Sequence, residues 1–459
     1  MEKWAAKELS GVNLGDVRRN KRLIKIVEDL AAQPDSSVAQ ASENMAATKA
    51  VYNFWKSPYF SASEIRQGHI ESTIARIKEH QIVLAIQDTT NIDLTAHPKI
   101  KGVGYLDHPQ SSGLKVHSTF AATSNGVPLG ILEQQVWARP PENLGIAKKR
   151  RQRETLSKES QRWLDGLDVT QNSVPSEIQV VTIGDSEADI FDLFNLKRSE
   201  NSDLLIRGTH NRKVDHCAKY LHQAIRQIEP NGTLTAEVKR SPEHSARKAI
   251  LTIRFTSVDI QVPLHHIGRS QLKPVKLQVI LASEDHPPPG INPISWLLIT
   301  SLKIYNLEDA ARCVQWYTYR WLIERYHYTL KSGCRIEQLQ LSTADRINMA
   351  LATYTVVAWR LLWLTYSSRV NPDLSSDAVL ETDEWQSLCA TVNKNPTPPK
   401  KPPSLREAVR MIATLGGFLA RKGDGEPGVK TIWRGLRRLH DIAATWKLLH
   451  SHSPSNVSG

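Results

Sequence analysis

The apolar pattern of the chain opens as helices and then changes period. Val17 to Ala32, Asn44 to Trp55 and Ala62 to Ile77 read as three helices within the first seventy or so residues. The segment QIVLAIQDTTNIDL breaks that pattern: Ile82 to Ile86 is a short apolar run with β-branched members, predicting a buried strand that delivers Asp88 at its far end. Val116 to Thr123 and Val127 to Trp137 follow as strands joined by Asn125-Gly126, a strong hairpin signal. A helix is expected at Thr155 to Leu167, a strand at Glu177 to Ile183, a helix from Asp185 to about Leu196, and a strand at Leu204 to Arg207. Strand, acid, helix and strand make a βαβ crossover with a carboxylate at a strand's carboxyl end, where sites in α/β sheets sit. A block of strands comes next, at Gly232 to Arg240, Leu251 to Val262, Val275 to Ser283 and Ile294 to Thr300, separated by turn-rich segments such as HPPPGINP.

The stretch from Cys313 to Lys331 has no internal Pro or Gly and ends at Ser332-Gly333, which predicts one helix of about five turns. On it Tyr317, Arg320, Glu324 and Lys331 fall within about 60° of one another. Trp316, Leu322, Ile323, Tyr326 and Leu330 form the side expected to be buried. A carboxylate flanked by guanidinium, phenol and ammonium suits metal-dependent phosphodiester chemistry, with an acid for a cation and cations for phosphates. Taken alone, the same stripe fits an ordinary helix salt bridge, so partner carboxylates elsewhere decide its meaning.

Composition sharpens the picture only in part. The 459 residues exceed one typical core, and 40% hydrophobic with 23% charged residues excludes global disorder. A net charge of +12 favours a polyanionic partner. Cys217, Cys313, Cys334 and Cys389 are widely spaced without zinc-ligand patterning, as expected of reduced thiols in a cytoplasm. The N-terminus lacks an apolar signal core, and the apolar run Ile347 to Leu364 is interrupted by Asn348, Thr353, Thr355 and Arg360, so a buried helix and no membrane span is expected. Arg18, Arg19, Lys21 and Arg22 cluster at the start of the first helix, fitting DNA phosphates or a solvated face equally. The run Lys148 to Arg153 is open in the same way. Past the Pro and Lys rich linker Asn393 to Ser404, apolar positions at helical spacing in Leu405 to His450 suit packing into a second copy or onto the same chain.

Three acids now stand out: Asp88 and Asp185 after strands, and Glu324 on the long helix. The element order describes an α/β fold, a ribonuclease H-like core in which these three positions converge, with an inserted β-strand subdomain and helical N-terminal and C-terminal domains. The expected boundaries are 1–70, 71–215, 216–303, 304–370 and 371–459, the second and fourth segments making up the core. Three carboxylates can hold two divalent cations, and hard oxygen ligands point to Mg2+, with Mn2+ as a substitute. Asp93 and Asp189 are nearby acids expected in structural or supporting roles.

The spacing Tyr-x2-Arg-x3-Glu-x6-Lys at Tyr317, Arg320, Glu324 and Lys331 resembles the YREK signature of cut-and-paste DDE transposases of insertion-sequence family four, the group that includes the transposon-five transposase. LGDVRRNKRL at Leu14 to Leu23, IQDTT around Asp88, GDSEADI around Asp185, WLLIT from Trp296 and LGGFLARKGDGEPG near the end extend the resemblance over most of the chain. It implies that Asp88, Asp185 and Glu324 are the metal-binding catalytic triad. Arg320 and Lys331 would then hold phosphates at the transposon end, Tyr317 would hydrogen-bond a backbone oxygen, Trp296 and Trp321 would assist base flipping, and Arg207 with His210, Arg212 and Lys213 would form a DNA-contacting segment. A buried core role is the alternative for each tryptophan. Arg18, Arg19 and Arg22 would add N-terminal DNA contacts. The implied activity is excision by nicking, hairpin formation and hairpin opening at the terminal inverted repeats, then strand transfer into target DNA by a homodimer associated with a prokaryotic nucleoid. A catalytically silent DNA-binding regulator of transposition is the competing expectation, and a sequence-independent nuclease of the same fold a third.

Overall fold

The computed structural model describes residues 4–42, 44–108, 110–140, 159–238, 247–421 and 423–450. Helices come first: α1 (Trp4–Glu8), α2 (Val17–Ala32), α3 (Val38–Ala41), α4 (Met45–Phe54) and α5 (Ala62–Ile77). Asn44, expected as the first residue of α4, stands just outside it and accepts a hydrogen bond from the Ala47 amide. Short polar side chains take this place because the amides of a first helical turn lack acceptors.

The core follows: β1 (Ile82–Asp93), β2 (Gly104–Tyr105), β3 (Ser112–Thr123), β4 (Pro128–Trp137), α6 (Gln161–Ser173), β5 (Gln179–Gly184), α7 (Phe191–Asn195) and β6 (Ser202–Arg207). Its strands lie in the order β4-β3-β1-β5-β6, with β1, β5 and β6 parallel and β3 and β4 antiparallel. This is the ribonuclease H-like arrangement. Along β1, Leu84 and Ile86 enter one core and Val83 and Ala85 another on the opposite face. A strand covered on both sides reads as a continuous apolar run.

Three local expectations are corrected. β1 does not stop near Ile86, because β3 pairs with it as far as Asp93 opposite Gly113, so Asp88 lies within the strand and not at its end. The segment after Asp185 is no continuous helix: a short 3-10 turn spans Ser186–Ala188, and α7 begins only at Phe191. Its backbone turns aside at Asp189, whose carboxylate accepts from the Thr209 and His210 amides at 2.8 Å each. Helix α6 lies later than expected and ends before Pro175, which holds Val174 extended.

The strand block contains α8 (Leu221–Arg226), β7 (Gly232–Val238), β8 (Arg247–Ile260), β9 (Val275–Ser283) and β10 (Ser295–Thr300). Because β10 pairs antiparallel with β6, the block continues the core sheet through β9, β8 and β7 to ten strands among the described residues. The remaining elements are α9 (Leu307–Thr318), α10 (Trp321–Tyr328), α11 (Ala344–Val370), α12 (Thr382–Asn393), α13 (Leu405–Leu415) and α14 (Val429–His450). Among the described residues α11 alone is long and apolar enough to cross a membrane, and 83% of its apolar window is buried inside the protein. Leu388, Leu405, Ile412, Ile432 and Leu439 join α12, α13 and α14 in a core of their own.

Candidate active site

Parallel pairing of β1 with β5 ends at Ile86 opposite Ile183. Asp88 and Asp185 each lie two residues past that rung, so the register brings the acids side by side where β5 ends. Each is held locally: Asp88 Oδ1 accepts from the Thr89 amide and Asp185 Oδ1 from the Glu187 amide, both at 2.8 Å. Burial, then the charge of Asp185, pushes Asp88 up to about 7; Glu324 adds to this, while the Thr89 amide and Arg320 oppose it.

Glu324 arrives on a broken helix. The expected single helix from Cys313 to Lys331 divides after Thr318, where the amides of Tyr319, Arg320, Leu322 and Ile323 bond carbonyls three residues back instead of four. A five-residue π turn at Thr329–Gly333 then carries Lys331. The predicted apolar side is nonetheless buried, with Trp316, Leu322, Ile323, Tyr326 and Leu330 in the core. Arg320 donates to Glu324 at 2.6 Å.

Tyr317 is buried rather than displayed, its phenol raised chiefly by that burial, with the nearby Arg320 and Arg207 guanidiniums opposing the rise. A cleft of about 450 Å³ is lined by Asp185, Arg207, Tyr317 and Arg320 together with His222 and Arg226 of α8. Trp296 is half-buried, its ring edge-on to Tyr317 at 5.9 Å, whereas Trp321 is 58% exposed. Lys331 pairs with Glu337 at 3.4 Å and lines a neighbouring cleft with Thr89, Arg162, Glu187 and His210.

Among the described residues no three His, Cys, Asp or Glu side chains are gathered closely enough to hold an ion as a group. Electrostatically Asp88, Asp185 and Glu324 form one cluster, but Glu324 faces Arg320. The donors are carboxylate oxygens, the set preferred by Mg2+, and Asp88, raised first by burial and then by the Asp185 charge, is a carboxylate that a divalent cation would favour in its ionised form.

Other predicted contacts divide. Arg212 is turned inward, 9% exposed, with Nε donating to Asp189 Oδ1 at 2.8 Å, so its guanidinium braces the fold. Arg19 likewise folds back, donating to the Leu14 carbonyl at 3.0 Å and covering the Tyr59 ring. Arg18, 91% exposed, and Arg22, His210 and Lys213 face solvent. Asp93 bonds the Thr95 amide in a turn, and Asp189 is fully buried against Arg212. The basic run at 148–153 lies outside the described residues. Two neighbours of the acids escaped the sequence reading. His327, buried and lowered to about 3 by that burial, sits with Nδ1 3.7 Å from Asp88 Oδ2. Its position one turn from Glu324 was the available signal. Arg162 carried none, since its partners lie far away in sequence.

Both ends of the chain are similar to known transposase domains. Residues 1–59 match the family model described as transposase DNA-binding, and residues 356–454 the one described as transposase Tn5 dimerisation domain. The two matches support a DNA-binding transposase similar to Tn5. They also support DNA and a second copy of the chain as partners. The second match begins inside α11, ahead of the boundary expected at 371.

Proposed function

We propose that this protein is a DDE transposase of insertion-sequence family four, in the YREK group, which excises an element at its terminal inverted repeats and joins it to target DNA. The reading is carried by the juxtaposition of Asp88 and Asp185 beyond the end of β5, beside a cleft walled by Arg207, Tyr317 and Arg320.

Asp88, Asp185 and Glu324 are the side chains that would hold Mg2+, or Mn2+ in its stead. Such ions, when bound, stabilise charge on the attacking and leaving oxygens of an in-line displacement. The chain's own groups do the rest. Arg320 and Arg207 present guanidinium forks to backbone phosphate, and Lys331 supplies a point charge on the neighbouring side. A phosphate that draws Arg320 away frees the Glu324 carboxylate, so binding of the DNA end and completion of the acid cluster are linked. Buried, neutral His327 places no positive charge against Asp88. Trp321 offers an exposed indole face on which an extruded base can stack during hairpin formation.

Each step is a displacement at phosphorus. Water cleaves one strand and leaves a 3' hydroxyl; that hydroxyl attacks the opposite strand and closes a hairpin; water opens it; and the released 3' hydroxyl attacks target DNA. One O–P bond forms as another breaks each time. The test is a divalent-metal cleavage assay on duplexes carrying the flanking inverted repeats. Nicked, hairpin and joined products are expected from the wild type and none from Asp88→Ala. Retained cleavage by Asp88→Ala refutes the assignment, end binding without cleavage by the wild type points to a regulator, and equal degradation of unrelated DNA points to a nuclease.

A further inference from the structure

Arg162, at the start of α6, is linked to both strand-borne acids through their immediate neighbours. Its Nε donates to Thr89 Oγ1 at 2.8 Å and its Nη2 to Glu187 Oε2 at 2.6 Å, while Nη1 is anchored on the Glu159 carbonyl at 2.7 Å. Thr89 and Glu187 are the two residues whose amides hold Asp88 and Asp185. One rigid guanidinium therefore joins the two segments that orient the acids, across a gap beyond the last rung of strand pairing, where backbone hydrogen bonds no longer set the spacing. The Arg162 side chain is only 12% exposed and lies against the Trp163 and Trp137 rings, with centroids 5.6 and 5.9 Å away, so the fork is held from behind as well.

We propose that Arg162 is a positioning residue that sets the separation of Asp88 and Asp185 for divalent-metal binding. The inference rests on the reading of these acids given above. It assigns Arg162 no contact with phosphate, although the residue lines the cleft beside Lys331. The fork explains the choice of side chain: a lysine reaches only one of the two partners, so Arg162→Lys should behave like Arg162→Gln and not like the wild type.

The experiment titrates Mn2+ into the full chain, reading bound ion by loss of the free Mn2+ paramagnetic resonance signal, and separately measures affinity for an inverted-repeat duplex in EDTA over a range of salt. Arg162→Lys, Arg162→Gln and the double variant Thr89→Val with Glu187→Gln should each weaken Mn2+ binding by about 10–100-fold, the range for residues that orient metal ligands. Duplex affinity should stay within about twofold, with an unchanged salt slope. The double variant keeps Arg162 itself and serves if replacing the arginine unfolds the chain. Unaltered Mn2+ binding in the double variant overturns the proposal. So does a loss of duplex affinity with a salt slope smaller by about one for Arg162→Gln, which marks a phosphate contact. Wild-type chain that binds Mn2+ no better than Asp88→Ala overturns the underlying reading as well, so the two failures are distinguishable.

Discussion

Asp185 and Asp189 stand four residues apart on the same loop and have opposite fates. Asp189 is completely buried and completely answered: two backbone amides and the Arg212 guanidinium occupy its oxygens. Asp185 has one amide from its own turn and otherwise faces Asp88 and an open cleft. A buried carboxylate supplied with donors serves the fold. One gathered with other carboxylates raises the energy of the fold, and that cost marks a place where a ligand is expected to settle the charge. The two tryptophans repeat the contrast, with Trp296 packed against Tyr317 and Trp321 left in solvent.

The comparison breaks most visibly in a cleavage assay. Asp185→Asn, which keeps an acceptor for the Glu187 amide, should lower the rate on an inverted-repeat duplex on the order of 10³-fold, while melting stays at or above the wild-type temperature because a repulsive charge is gone. Asp189→Asn should do the reverse in thermal or denaturant unfolding: leaving Arg212 uncompensated in the interior costs about 3–5 kcal/mol. Equal effects of both substitutions on both measurements would erase the distinction. For the aromatic pair, Trp321→Ala should slow the hairpin step by an amount worth about 1–3 kcal/mol of lost stacking and leave melting unchanged. Trp296→Ala should lower the melting temperature as well, because it leaves a gap beside Tyr317.

The carboxylate cluster also carries a pH dependence. Asp88 sits at about 7 in the folded chain against an ordinary value of 3.8, so its contribution to stability is complete below the lower value and lost as pH rises through the upper one. Melting of the wild type should therefore fall relative to Asp88→Asn between about pH 4 and about pH 7 and level off above that. Adding Mg2+ at the high end should recover the wild type and not the variant, and parallel curves without that recovery would show that Asp88 carries no such strain.

Several elements are legible in the sequence alone. The helices at Val17–Ala32 and Ala62–Ile77, the β3-β4 hairpin and all four inserted strands follow from local periodicity and turn chemistry, which act over a few residues. Errors fell where a distant partner overrides the local pattern. β3 prolongs β1 past Asp88, the Asp189 contacts break the helix expected after Asp185, and the helix bearing Glu324 divides in two.

By itself the sequence determined the alternation of strand and helix, the buried side of the Glu324 segment and the positions of three acids on three separate elements, because burial and backbone preference are written in neighbouring residues. Only the tertiary structure decided that β10 joins β6, that Arg212 faces inward, that Glu324 is paired with Arg320 and that Arg162 spans Thr89 and Glu187. Those outcomes depend on which side chains meet across the fold, and a guanidinium takes whichever carboxylate the packing brings within reach.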